Sequence, residues 1–160
     1  MPHHVRPARG SDLDACVAVL GALPGYFTPS THDELRASGL GRLAWVAVAE
    51  DGVVGFVRAE QRYEHTAEIM FAAVLPGHQR SGIGQALVSE AIARLAELEV
   101  VVIEVKTLDA SADYEPYVAT RGFWSRCGFH QVDCIDPLPG WEEGNPAAIY
   151  VAALGPTRSA

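Results

Sequence analysis

The 160-residue chain has little cysteine, few basic residues and no long apolar run. Its three cysteines, Cys16, Cys127 and Cys134, are too few and too scattered for a disulfide framework or a zinc motif, and read as packing residues in a reducing cytoplasm. Lysine and arginine number 12 against 20 aspartates and glutamates, a net charge of −8. A nucleic-acid partner needs a basic face to neutralise phosphates, so none is expected. No stretch approaches the roughly 20 apolar residues that span a bilayer, and the opening MPHHVRPARG lacks the apolar core of a secretory signal. His65, His78 and His130 show no metal-ligand spacing, and no metal is expected. What remains is a cytoplasmic globular chain with no membrane partner, 49% hydrophobic, the size of one domain over 1–160.

What is present is a clear order of elements. VRP at 5–7 suits a short strand, and Ser11 with Asp14 suits a capping box before Leu13, Cys16, Val17 and Leu20 at helical spacing. Thr31 and Glu34 repeat that pattern before a short helix ending near Gly39. LAWVAVAE (43–50) and VVGFVRAEQR (53–62) flank Asp51-Gly52 and predict a hairpin. A third strand, TAEIMFAAVL, follows at 66–75. Leu87, Val88, Ala91, Ile92, Leu95 and Leu98 line one face of a helix over 84–98. VVVIEV (100–105) has the β-branched run of a buried parallel strand. Pro116 and Gly128 bracket a last helix, within which Gly122 asks for a packing reason. FHQVDCI (129–135) and AAIYVAAL (147–154) read as a closing strand pair. The order predicts a mixed α/β sheet with one parallel pair across the 84–98 helix.

The chemistry concentrates in VLPGHQRSGIGQAL (74–87), which runs from a strand through a loop into a helix. The first N–H groups of a helix lack partners and favour an anion there. No lysine follows Gly82 or Gly84, so the loop is not a Walker motif, and Leu87 stands where a dinucleotide fingerprint needs its third glycine. An ordinary strand-to-helix connection is the plain alternative. Gln79-Arg80-Ser81-Gly82-Ile83-Gly84, however, resembles the [QR]-x-x-G-x-[GA] loop of the GNAT acetyltransferase superfamily. AEIMFAAVLPG before it is similar to that family's fourth strand, and ATRGFWSRCGF (119–129) to its second signature. The resemblance spans about 5–153 and looks like a bacterial branch of unassigned acceptor.

The resemblance implies a GNAT fold. Its mostly antiparallel sheet has six to seven strands, one parallel pair splayed to admit acetyl-CoA, and about four helices. It implies an acetyl-CoA-dependent N-acetyltransferase in which an amine attacks the thioester directly, through a tetrahedral intermediate. The acceptor would be a small-molecule or peptide amine, and a homodimer stays open. Gln79, Arg80, Ser81, Gly82, Ile83, Gly84 and Gln85 would hold the pyrophosphate, and Val74 would pair with the pantetheine arm and donate to the oxyanion. Glu68, alone in an apolar strand, would be the base; its plain reading is an edge residue or a salt bridge with Arg58 or Arg62. His65, three residues earlier, is a candidate relay. Where many relatives carry an acidic Tyr, this chain has Trp124, which has no acidic proton to give and is left to pack on the cofactor or in the core. That departure admits a non-catalytic acyl-CoA-binding module as the alternative. Tyr26, Phe27 and Trp141 would wall an acceptor pocket or simply pack their loops.

Overall fold

The computed structural model describes residues 2–155. Strands β1 (His4–Pro7), β2 (Ala44–Ala49), β3 (Gly52–Tyr63), β4 (Thr66–Val74), β5 (Val102–Leu108), β6 (His130–Ile135) and β7 (Ala147–Ala153) alternate with helices. These are α1 (Leu13–Gly21), α2 (Pro29–Ser38), α3 (Ile83–Glu97) and α4 (Pro116–Arg126). The strands form one sheet in the order β1-β2-β3-β4-β5-β7-β6. β4 and β5 are the expected parallel pair, and their ladder is short: it runs from Thr66↔Val102 to Ile69↔Val105. The chain divides into two compact units, Met1–Glu60 with Met70–Arg94, and Gln61–Ile69 with Leu95–Ala160.

In the first unit, α1 buries Cys16, Val17, Val19 and Leu20 on one stripe. They pack with Leu35 of α2 and with Val46, Phe56, Phe71 and Ala73 of the strands. Burial pushes the Cys16 thiol up to about 12. The predicted Ser11 cap is not the one used: a 3-10 turn over Gly10–Asp12 leads into α1, and Asp12 accepts from the Arg9 N–H at 2.7 Å. Arg6 grips the same carboxylate with two bonds, 2.8 and 2.9 Å, which hold it below the usual carboxylate range. α2 likewise starts at Pro29, before the expected Thr31, and stops at Gly39 with φ +68°. In the hairpin, Ala49 already pairs with Gly52, so Glu50 and Asp51 make the turn and Gly52 supplies φ +101° beside it. α3 buries Ile83, Leu87, Val88, Ala91 and Leu95; Leu98 lies past its end and is 48% exposed.

In the second unit, Ile103, Val105 and Thr107 alternate inward along β5, while every residue of the edge strand β6 is exposed. Cys134 is therefore not the packing residue expected; its thiol is raised by desolvation and by Asp109, Asp133 and Asp136 around it. Cys127 is half-buried, and that burial raises it too. α4 ends where Gly128 turns left-handed at φ +90°. Trp124 is 4% exposed and meets Phe129 edge-on at 5.2 Å. Gly122 has no packing reason: an added Cβ would meet only the Arg126 guanidinium of its own helix, at 3.2 Å.

Gly55 on β3 is the glycine that packing does require. A Cβ there would stand 2.9 Å from the Ala73 carbonyl oxygen, 3.1 Å from Val74 and 3.3 Å from Leu87 of α3. Because a carbonyl of the sheet cannot swing aside, Gly55→Val is expected to lower stability by about 1–3 kcal/mol. Urea melts of the two proteins check it, and an unchanged midpoint would show that β4 can shift its Ala73 carbonyl clear of the new side chain.

Candidate functional site

The first unit carries the loop that leads into α3. After Leu75 comes a 3-10 turn over Pro76–His78, then extended Gln79. Arg80 sits at φ +56° and Gly82 at φ +84°. Two left-handed residues so close together turn the chain sharply before the helix, and only one of them is glycine. Ser81 Oγ donates to the His78 carbonyl and closes the turn on itself. The Gln79 side-chain amide donates to the Val74 carbonyl at 3.0 Å, which braces the end of β4. Ala86 donates to the Gly82 carbonyl at 2.9 Å, so Gly82 is the capping residue. The N–H groups of Ile83, Gly84 and Gln85 then stand at the head of a 15-residue helix with no helical acceptors. Gln79, Arg80, Ser81, Gly82 and Gln85 are exposed, while Ile83 is buried and anchors the turn. Partial positive charge, three convergent donors and a glycine at the closest approach suit an oxyanion such as a phosphate.

Val74 lies five residues before Gln79 on the same side of that loop. The Leu75 N–H goes to the Val54 carbonyl of β3 at 2.8 Å. Strand alternation therefore turns the Val74 N–H away from β3. The β4 ladder with β5 has already ended at Ile69.

The second unit holds Glu68 in a charge cluster. The Glu68 side chain is 12% exposed. Arg62 bonds one carboxylate oxygen at 2.8 Å and Lys106 the other at 2.5 Å. Lys106 also reaches Glu104 at 2.8 Å. Of the two arginines anticipated as partners, Arg62 is the one engaged. The register explains the third charge: Glu68 stands opposite Glu104 on the neighbouring strand. Like charges directly opposite repel, and Lys106, two residues on and so on the same face, lies between them. Burial works against the Lys106 ammonium, but the bonds to Glu104 and Glu68 outweigh it and hold it above the usual lysine range. Neither Lys106 nor the role of Glu104 stands out in the sequence alone. Their signal was the alternation in Glu104-Val105-Lys106, which needed the β4–β5 register before it meant anything.

His65 points its Nδ1 at the Glu99 carbonyl, 3.1 Å away, and is more than half exposed, so its hydrogen bond goes elsewhere than Glu68. Tyr26 and Phe27 close the turn after α1, both donating backbone N–H groups to the Leu23 carbonyl, and pack against the first unit's core. Trp141 is half-buried in the second unit, its backbone N–H on the Leu138 carbonyl. Trp124 is wedged among Phe123 and Phe129. No group of three or more His, Cys, Asp or Glu side chains able to hold a metal ion is found among the described residues. No helix among them is long and apolar enough to cross a membrane.

Comparison with known proteins bears on this geometry. A family model described as "Acetyltransferase (GNAT) domain" matches residues 40–131, more than half of the chain. No curated protein sequence matches it. Among solved structures, the ribosomal-protein-S18-alanine N-acetyltransferase from Escherichia coli superposes with a TM-score of 0.74 at 17% identity, over 99% of each chain. A GNAT-family acetyltransferase from Bacillus cereus gives 0.73 at 18%, over 96% of this chain and 98% of that one. An aminoglycoside 6'-N-acetyltransferase complexed with coenzyme A gives 0.73 at 19%, over 98% and 99%. At such identities the structures share the fold.

The charge cluster makes a pH-dependent prediction. Lys106→Met leaves Glu68 and Glu104 facing each other and is expected to cost roughly 1–3 kcal/mol at neutral pH. Because the folded pKa of Lys106 lies above its unfolded 10.5, this contribution is complete below that value and fades as pH rises through the folded one. Urea melts at pH 7, 9 and 11 should show an equal gap at the first two and a smaller gap at the third. A gap that grows with pH would reverse the assignment.

Proposed function

From the premise that this chain belongs to the GNAT acetyltransferases, acyltransferases that use acetyl-CoA as co-substrate, we propose that it acetylates an amine by direct attack on the thioester. The observation that carries the proposal is the head of α3, where Gly82 at φ +84° caps the helix and leaves three N–H groups for the pyrophosphate. The residues fit that group: an unhindered glycine, a basic Arg80 and no acidic side chain from Gln79 to Gln85. Val74 would direct its N–H to the thioester carbonyl and stabilise the developing oxyanion.

Glu68 is proposed as the group that takes the acceptor's proton. Both of its oxygens are held by cations, so it needs to give one up. Arg62 is the cheaper loss: its side chain is 51% exposed against 22% for Lys106, so water takes the place of the carboxylate more readily around Arg62. An arriving ammonium would replace Arg62 with the same charge, while Lys106 keeps the carboxylate in place. Trp124 supplies no acid in this scheme and serves the core. The CoA thiolate leaves unprotonated, which a thiol with pKa of about 8.5 permits.

Two measurements test this. Gly82→Val forces a branched side chain into a left-handed conformation over the donors. It should weaken acetyl-CoA binding by at least ~1 kcal/mol, about fivefold in Kd, by calorimetric titration. Unchanged affinity in the folded variant would move the pyrophosphate elsewhere.

Glu68→Gln should lower kcat by about 10²-fold or more, read as thiol release across a panel of amines, with acetyl-CoA affinity nearly intact. A variant that keeps its rate would make Glu68 a structural residue. A wild-type protein that binds acetyl-CoA and turns over no amine would instead favour a binding module.

A further inference from the structure

Arg58 lies on β3 in the first unit and is 9% exposed, yet its Nε has no hydrogen-bond partner. None of the ion pairs among the described residues includes it. Its one contact of note is a ring: the guanidinium sits over Phe71, 5.9 Å from the centroid. Cation–π attraction recovers only part of what a buried charge loses with its water. Folded chains rarely keep an arginine in this condition, and a fixed cation that lacks an anion is a place for one.

The surroundings fit a small acceptor. Phe71 in turn stacks on Phe56, with ring centroids 6.4 Å apart, so the cation borders a pair of aromatic rings at the edge of the apolar cluster. Phe71 is also three residues before Val74 on the same strand, roughly 10 Å along it. The guanidinium is planar and grips a carboxylate with two parallel bonds. We propose that Arg58 binds an oxyanion of the acceptor, in the first place a carboxylate within about 10 Å of the amine to be acetylated. The acceptor class would then be amino acids or short peptides rather than polyamines or neutral aminosugars. This inference rests on the acetyltransferase reading for the amine, but the anion site stands on Arg58 itself.

The test separates the two. Thermal melts are taken with CoA present, adding each amino acid against its C-terminal amide, and phosphoethanolamine against ethanolamine. Carboxylates should raise the melting temperature of the wild type more than their amides, and Arg58→Met should abolish the difference. Arg58→Lys should retain part of it, since it keeps the charge but not the fork. In turnover, the acid should exceed its amide at least tenfold in kcat/KM, chiefly through KM, and Arg58→Met should bring that ratio near one. A preference confined to phosphoethanolamine would assign the site to phosphate and overturn the carboxylate. Equal shifts for acids and amides, no shift with either, or a difference that survives Arg58→Met would overturn the site altogether. A protein that acetyl-CoA fails to stabilise would sink the acetyltransferase reading while leaving the Arg58 comparison intact.

Discussion

A parallel ladder of four residue pairs constrains everything else in this molecule. β4 is nine residues long, but it pairs with β5 only from Thr66 to Ile69. One strand thus does two jobs in sequence. Its paired half fixes Glu68 opposite Glu104, and the register alone makes Lys106 necessary between them. Its remaining half carries Phe71 under Arg58 and ends at Val74, whose carbonyl is braced by Gln79. A slip of one residue would turn Glu68 to the other face and exchange its cationic partners for apolar ones. The apolar alternation of β4, with Ala67, Ile69, Phe71 and Ala73 all buried, guards against that slip.

Electrostatics divide the charged residues by what they need. Glu68, Glu104, Lys106 and Arg62 satisfy one another, so their burial is compensated within the chain. Arg6 and Asp12 do the same in the first unit and tie β1 to the turn before α1. Arg58 is the contrast, since its side chain is nine-tenths buried, its Nε has no partner and a ring is the group beneath its guanidinium. In a chain with eight more acidic than basic residues, a carboxylate partner would have been easy to supply.

Most of the architecture was legible because the sequence is locally consistent. Apolar alternation marked the strands, Gly39 and Gly128 marked helix ends, and the Gln79–Gly84 spacing marked the loop. Boundaries failed where a side chain answered to something distant. Ser11 looked like a cap, but a 3-10 turn precedes α1, and Asp12, held by Arg6 from the preceding strand, accepts the Arg9 N–H ahead of that turn. Leu98 fitted the helical stripe and fell beyond the helix end. The site was legible in its loop and in Glu68 as an anomaly. Lys106 and Arg58 were not, because a charge on a strand acquires meaning only from the strand beside it.

The three thiols share one feature with a chemical consequence. Cys16 and Cys127 are raised by burial, and Cys134 by desolvation and neighbouring carboxylates, with Cys16 reaching about 12. A thioester passes its acyl group readily to a thiolate and poorly to a thiol. Near neutral pH these sulfurs are overwhelmingly protonated, so they compete weakly for an activated acetyl group. The acyl donor can dwell on such a protein without passing its acyl group to these sulfurs.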